Sequence, residues 1–398
     1  MRYVVAPVTV LLLVCGCADA PTGLTPAAGD DAGAVLSAAA VPIPGRFIVT
    51  LREGEDGASV AREHGIRPDF VYSRALTGFA GAIADAARDG LLKDGRVRRV
   101  EADGIATLVT TQTNATWGID RIDQRALPLT STFNYVSTGK GVTAYVLDSG
   151  IRADHSEFGG RAAGGYDAVD GALPADDCNG HGTHVAGTVG GATYGVAKGV
   201  RLVAVRVLGC EGSGSWSGVI AGIDWVIADH QLPPVTKRAP AVANLSLGGA
   251  ANSSVDEAVG RMIADGISTA IAAGNGNFAG VAQDACKTTP ARVPEAMTIG
   301  AVDKTDRKAS WSNFGNCVDW FAPGVGIVSS WFTSATARSI LSGTSMASPH
   351  TTGVAALYLQ AHPSATPQQV RDALFAATTK GVVKNSNTTN SHLLFTSY

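Results

Sequence analysis

From about residue 110 onward, apolar runs of strand length alternate with segments whose apolar residues recur at helical spacing. The strand-like runs are VTAYVLD (142–148), LVAVRVL (202–208), AVANLSL (241–247), STAIAAG (268–274) and AMTIGAV (296–302). Between them, WSGVIAGIDWVIADH (216–230) and VDEAVGRMIADG (255–266) have the spacing of helices. A later run, GVAALYLQ (353–360), reads as a helix buried on most sides. Strands apolar on both faces and separated by helices predict a mainly parallel sheet with helices on both sides, a three-layer α/β/α fold. In such a sheet the site lies beyond the carboxyl ends of the strands.

The chain before residue 110 has a different rhythm. RFIVTL (46–51), GFAGAI (78–83) and RVRRVEAD (96–103) read as strands, and GASVAREHG (57–65) and DAARDGLLKDG (85–95) as helices. One more strand near 70–75 completes β-α-β-β-α-β, a small α+β ferredoxin-like unit. Ahead of it, residues 21–44 are rich in Ala, Gly and Pro without a period, as in a linker. At the start, Arg2 precedes an apolar run from Tyr3 to Val14, the length of a signal-peptide core and too short to span a bilayer. Two cleavage readings compete: ADA (18–20), followed by Pro21, and VCGC (14–17), which resembles a lipobox with Cys17 lipidated. Both make the protein an exported one.

Composition sharpens this picture. With 398 residues, 45% hydrophobic and 16% charged, the chain can bury a large core. Lys+Arg 31 against Asp+Glu 34 gives a net charge of −3 and no reason to expect nucleic acid as a partner. The 48 glycines follow no Gly-X-Y period and point to tight turns and close backbone approaches. Of six cysteines, Cys15 and Cys17 fall in the leader, which leaves Cys178, Cys210, Cys286 and Cys317. Export permits disulfides, and four cysteines allow three connectivities. Spacings of 32 and 31 residues favour two local loops, 178–210 and 286–317. No C-x-x-C zinc pattern occurs among them.

The strand ends carry the chemistry. Strand 142–148 ends in LDSG, with Asp148 at the carboxyl edge. DCNGHGTHVAGTVGG (177–191) places His181 between two glycines at a helix start. His184 and His350 read as core histidines, since no H-E-x-x-H or third metal ligand accompanies them. Asn275 follows the strand 268–274, where a side-chain amide can donate to an oxyanion. Ser345, in SGTSMASPH (342–350), heads the long apolar helix. Each has a plain alternative: an Asx turn, a helix cap, a turn asparagine, a serine N-cap. Together, a carboxylate, an imidazole, an amide and a hydroxyl at one edge of one sheet are the groups that acyl transfer needs.

The order Asp, His, Ser within VLDSG, NGHGTHVAG and GTSMASPH resembles the subtilisin-like serine proteases. WGIDRIDQRALPL (117–129), YGVAKGVRLVAVRVL (194–208), VANLSLGG (242–249) and WSNFGNCVDWFAPG (311–324) are similar to the proteinase K-like branch, and within it to aqualysin-type enzymes. The resemblance covers about 110 to 398, and residues 46–103 resemble the family's inhibitory propeptide. Residues 1–20 thus read as a signal peptide and 21–44 as a linker, and the resemblance implies a propeptide at 45–109 and a peptidase domain at 110–398. It implies Ser345 as nucleophile, His181 as general base, Asp148 as its orienter, and Asn275 with the Ser345 N–H as oxyanion hole. It also implies the disulfides Cys178–Cys210 and Cys286–Cys317. Substrate peptide would lie between Gly212, Ser213, Gly214 and Ser246, Leu247, Gly248. Ala272, Ala273 and Gly274 would wall the S1 pocket, and their small size implies a broad apolar or aromatic P1 preference.

Structural calcium follows from the same resemblance, at two sites. Pro294 and Ala296 carbonyls with Asp319 would form one, and Asp120, Asp123 and Gln124 the other. Near the second, Ala126 stands where some relatives have Asp. The implied protein is a monomer with polypeptide substrates and its own propeptide as chaperone and inhibitor. Two other classes were weighed. A binding module that has lost catalysis would lack a triad member, and none is missing. An esterase of the α/β-hydrolase type needs a G-x-S-x-G elbow and the order Ser, acid, His, where this chain has GTSMA and the reverse order.

Overall fold

The computed structural model describes residues 42–104, 110–171 and 174–398. The expected signal peptide, the linker to residue 41 and the junction at 105–109 lie outside the described residues. The described chain falls into two compact units, divided at residues 105 and 106.

The first unit runs β1 (Pro42–Leu51), α1 (Gly57–Glu63), β2 (Phe70–Tyr72), β3 (Gly78–Ala82), α2 (Asp85–Leu91), β4 (Val97–Gly104). Its antiparallel sheet has the order β2-β3-β1-β4. The Asp56 carboxylate caps α1 by accepting from the Ala58 N–H at 2.9 Å. Val49, Leu51, Val60, Phe79 and Leu91 are the centre of a small core.

The second unit begins with β5 (Thr110–Thr113), α3 (Trp117–Ile122), β6 (Thr132–Tyr135) and β7 (Thr143–Asp148). It continues with β8 (Ala162–Asp167), α4 (His181–Gly190), β9 (Arg201–Arg206), α5 (Trp216–Gln231) and β10 (Ala241–Leu245). Then come β11 (Gly249–Ala250), α6 (Ser253–Ala264), β12 (Ile267–Ala272), β13 (Thr288–Thr289) and β14 (Met297–Val302). The chain closes with β15 (Trp320–Pro323), β16 (Ile327–Ser330), β17 (Arg338–Leu341), α7 (Thr344–Ala361) and α8 (Pro367–Ala377).

Seven strands form one sheet in the order β15-β14-β12-β10-β7-β9-β8. Every pairing in it is parallel. Side chains alternate between the two faces, as a strand requires. Along β7, Ala144 and Val146 join the core that holds α4 and α7, while Tyr145 and Leu147 join the core that holds α5 and α6. Both faces are covered, so the fold is the expected three-layer α/β/α.

All five runs expected as strands are strands, but three leave the sheet two residues early. The runs 202–208, 241–247 and 268–274 stop pairing at Arg206, Leu245 and Ala272. Their last residues, among them Leu208, Ser246, Leu247, Ala273 and Gly274, line a cleft instead. The outer strands β8 and β15 were not expected. The first is the glycine-rich AAGGYD, and the second is a four-residue run ending in proline.

One buried ion pair holds α3 to the body. Arg121 has no solvent exposure, and its Nε and Nη2 donate to the two Asp306 carboxylate oxygens at 2.7 and 3.0 Å. Asp306→Ala would leave that guanidinium buried without a counter-charge, a loss of about 3–5 kcal/mol. Denaturant unfolding should show the midpoint falling with its slope unchanged.

Candidate active site

Asp148 is the last residue of β7 and is fully buried. Its Oδ1 sits 2.7 Å from His181 Nδ1 and accepts the Ser149 N–H at 2.8 Å. His181 opens α4, whose N-cap is Gly180 at a φ of 105°, a left-handed conformation suited to glycine. The next residue, Gly182, packs against the turn after β7. A Cβ there would stand 2.1 Å from the Gly150 carbonyl oxygen, so only glycine lets the helix start approach the strand end.

A second carboxylate organises this corner. Asp177 Oδ1 accepts from the Asn179 and Gly180 N–H groups at 2.9 and 2.8 Å, and from the Ser149 hydroxyl at 2.9 Å. Its Oδ2 accepts from the Thr183 N–H at 2.9 Å and the Thr183 hydroxyl at 2.6 Å. It takes the Gly180 and Thr183 N–H groups on either side of His181, while the His181 and Gly182 N–H groups go to Asn179 Oδ1 at 3.2 Å and the Ser149 hydroxyl at 3.0 Å, so the helix start is fully capped. Burial by itself pulls the His181 imidazole down. The Asp148 charge and hydrogen bond outweigh it, with Asp177 adding at longer range, and His181 is held above the ordinary histidine value.

Ser345 is the second residue of α7. The N-cap is Gly343, so the plain alternative of a serine cap does not hold. Its hydroxyl donates to the Ser246 carbonyl at 3.2 Å. Pro349 lies inside the helix and has no N–H for the carbonyl four residues back, which is that of Ser345. The Ser246 hydroxyl donates to this carbonyl instead, at 2.8 Å. Ser246 is in turn held by the Asn244 amide at 2.8 Å, and the Asn244 Oδ1 accepts from Ser348 and Thr352 of α7 at 2.9 and 3.0 Å.

Asn275 stands just past β12. Its Oδ1 accepts from the Thr344 N–H at 2.8 Å and the Thr344 hydroxyl at 2.9 Å, which turns the Nδ2 donors outward. His181, Asn275 and Ser345 line one cleft of about 760 Å³. Gly212, Ser213 and Gly214 line it too, as do Ser246, Leu247 and Gly248, and Ala272, Ala273 and Gly274. The stretches 212–214 and 246–248 lie outside every described strand. Some of their backbone groups are already engaged: Gly212 N–H and the Ser213 carbonyl bond Gly209 at 2.9 Å each, and the Ser246 carbonyl accepts from Ser345. A hydroxyl, a carboxylate-paired imidazole and an amide donor in one cleft are the groups that acyl transfer uses.

The subtilase family model matches residues 139–393. The chain belongs to the subtilase family. Its relatives include an "Extracellular serine proteinase" of Thermus sp. (strain Rt41A), 47% identical across 96% of each chain. An "Alkaline serine exoprotease A" of Vibrio alginolyticus is 43% identical, covering 89% of this chain and 68% of the relative. A solved structure, of a cold adapted subtilisin-like serine proteinase, is 50% identical with a TM-score of 0.67 and covers 71% of this chain and 98% of that one. This subtilase is thus a serine proteinase, a hydrolase of peptide bonds.

The cysteines of the subtilase pair as Cys178–Cys210 and Cys286–Cys317, with Cα–Cα distances of 4.9 and 5.3 Å. The first joins the approach to α4 to the loop that precedes Gly212. His184 and His350 are core residues. Nε2 of His184 bonds the Ile327 carbonyl at 3.0 Å, Nδ1 of His350 bonds the Met346 carbonyl at 2.8 Å, and burial pushes both down to about 4.

The two sites expected for calcium differ. Among the described residues, no three His, Cys, Asp or Glu side chains cluster to hold a metal by themselves. At the first site, Arg371 of α8 donates to the Pro294 carbonyl at 2.6 Å and also pairs with Asp319 Oδ1. Asp319 Oδ2 accepts from the Thr298 N–H at 2.8 Å. A guanidinium thus binds two of the three groups assigned to the ion, the Pro294 carbonyl and Asp319, and supplies a positive charge there. At the second site, Asp123 Oδ1 and Gln124 Oε1 are buried acceptors without a donor, which fits a cation. Asp120 beside them is fully engaged by Thr130 and Ser131. Burial, with Asp120 nearby, pushes Asp123 up to about 6 despite two bonds from Asn134.

Several residues that build the site escaped the sequence reading. Asp177 was passed over: it stands three residues before the Gly180 N-cap, outside the position where a capping side chain is normally read. Asn244 was hidden in an apolar run, where a lone amide is itself a signal. Arg371 lies 52 residues from Asp319, and nothing local links them.

The His181 titration can be read directly by NMR in the Ser345→Ala protein. The imidazole should titrate above the ordinary 6.5. Asp148→Asn removes the attraction and leaves the burial, so its midpoint should fall below that value. An unchanged midpoint would show that the pair does not govern the base.

Proposed function

We propose that this subtilase is an exported serine endopeptidase that cleaves polypeptides through an acyl-enzyme on Ser345. The observation that carries the reading is the 2.7 Å Asp148–His181 bond in a cleft shared with Ser345 and Asn275. His181, neutral at the start, takes the Ser345 hydroxyl proton as Oγ attacks the scissile carbonyl. Asp148 holds the proton-bearing Nδ1 and favours the imidazolium that forms. The tetrahedral oxyanion receives hydrogen bonds from Asn275 Nδ2 and the Ser345 N–H, the latter at a helix N-terminus. The imidazolium then protonates the leaving amine, and water repeats the sequence in reverse roles to free the acyl group. Neutral His181 is required, so activity should fall as pH drops through its raised titration point.

Substrate would add as a strand between 212–214 and 246–248, whose backbone lies outside every described strand. Ala272, Ala273 and Gly274 favour uncharged P1 side chains over a wide size range. Export is supported by the leader sequence and by the word "Extracellular" in the name of the Thermus relative. Residues 45–109 act as a propeptide that templates folding and blocks the cleft until cleavage near 109–111. The enzyme works as a monomer.

Calcium, when bound, would be held by the unpartnered oxygens of Asp123 and Gln124, with the Asp120 carboxylate adjacent, where it neutralises buried acceptors and stabilises the loop after α3. A hundredfold excess over Kd adds about 2.7 kcal/mol to stability. A chelator should therefore lower the Tm by roughly 5 °C. Asp123→Ala should start from the lower Tm and ignore the chelator. A chelator effect that persists in this variant would place the ion elsewhere.

Catalysis and maturation are tested together. Full-length chain with calcium should shorten to a product beginning near 110–112 by mass spectrometry, while Ser345→Ala stays whole. On peptide amides, Ser345→Ala should lose roughly 10⁶ in kcat, and Asn275→Ala roughly 10²–10³. A Ser345→Ala protein that still cleaves peptides overturns the assignment. Wild type that cleaves nothing would favour a binding module on this fold.

A further inference from the structure

Phe278 projects wholly into solvent, on the rim of the cleft that holds Asn275 and Ser345. Val281, three residues on, is 57% exposed. An exposed phenyl ring is unremarkable on a loose loop, but this loop is heavily bonded. The Asn277 N–H donates to the Val281 carbonyl at 2.9 Å, and the Gly280 N–H to the Asn277 carbonyl at 2.8 Å. Asn277 Oδ1 accepts from the Ala279 and Val281 N–H groups at 3.0 and 3.1 Å. Gly276 has a φ of 82°, and a Cβ there would meet the Val281 carbonyl oxygen at 2.6 Å.

Both ends of the loop are tied to the pocket wall by one residue. Buried Asn313 accepts through Oδ1 from the Gly276 and Gln283 N–H groups at 3.0 and 2.8 Å. Its Nδ2 donates to the Ala273 carbonyl at 2.9 Å. The backbone that carries Phe278 is therefore held at a set place relative to Ala272, Ala273 and Gly274, and the exposed ring is free to turn about it. Those wall residues leave room for a large side chain but offer little apolar surface to grip it. An aromatic ring at the mouth supplies that surface.

We propose that Phe278 is a specificity-determining residue whose ring closes over the P1 side chain of the bound polypeptide and favours large apolar P1 residues. The proposal rests on Ser345 as the nucleophile that defines P1. Apolar contacts of this kind discriminate by about tenfold or more. The ring touches solvent rather than core, so its removal should leave the fold intact.

The test is kcat/KM on peptide amides that differ only at P1, as Ala, Leu or Phe. Phe278→Ala should lower the preference for Phe over Ala about tenfold, through KM. Phe278→Leu should restore most of it. An unchanged preference, or an equal fall on all three substrates, overturns the proposal. Wild type without amide hydrolysis overturns the Ser345 reading and this proposal with it, and is told apart because it precedes any substitution.

Discussion

Pro349 has no amide proton, and the Ser345 carbonyl one turn below it would be left unpaired inside the protein. The Ser246 hydroxyl fills that gap, and the Ser246 carbonyl accepts from the Ser345 hydroxyl in return. This reciprocal contact joins the head of α7 to the end of β10. Asn244 extends it by bridging the strand to Ser348 and Thr352 on the same helix. The rest of the cleft is arranged around that junction. Thr344, the neighbour of Ser345, sets the orientation of Asn275. An unpaired carbonyl or amide here would cost about 1–3 kcal/mol, so the polar groups in this apolar face enforce one register.

The carboxyl edge works by balance between opposing terms. His181 is close to the interior, which favours the neutral ring, yet two carboxylates lean on it. Asp148 touches the imidazole directly, whereas Asp177 holds the helix start and bonds no atom of the ring. The division lets one acid tune the base while the other holds the backbone on either side of it. Ser149, between them in sequence and space, bonds both Asp177 and the Gly182 N–H.

The central strands were legible because parallel strands covered on both faces read as continuous apolar runs. The carboxyl-end rule then pointed to Asp148, Asn275 and, through the helix head, Ser345. The outer strands were not legible. Ala162–Asp167 is glycine-rich, and Trp320–Pro323 is too short for periodicity. Helix α8 was also passed over, although Thr366 and Gln369 form a reciprocal capping box around Pro367, a local signature of a helix start. Where the strands stop could not be read either. Extended chain continues past the last paired residue, and composition does not distinguish a paired residue from one that lines the cleft. The Arg371 contact at the first expected calcium site was hidden for a related reason. Pro294 and Asp319 matched a family pattern, but the guanidinium that claims them comes from a helix far along the chain.

That guanidinium changes how the edge of the sheet at β14 and β15 responds to its surroundings. A dissociable ion leaves when the medium is diluted or a competitor takes it. Arg371 is covalently part of α8, so its local concentration does not depend on the medium. It is delivered to the Asp319 corner by the docking of that helix. The counter-charge is thereby coupled to the docking of the chain's penultimate stretch, and a clip or strain on the C-terminal segment would be felt as lost neutralisation beside β15.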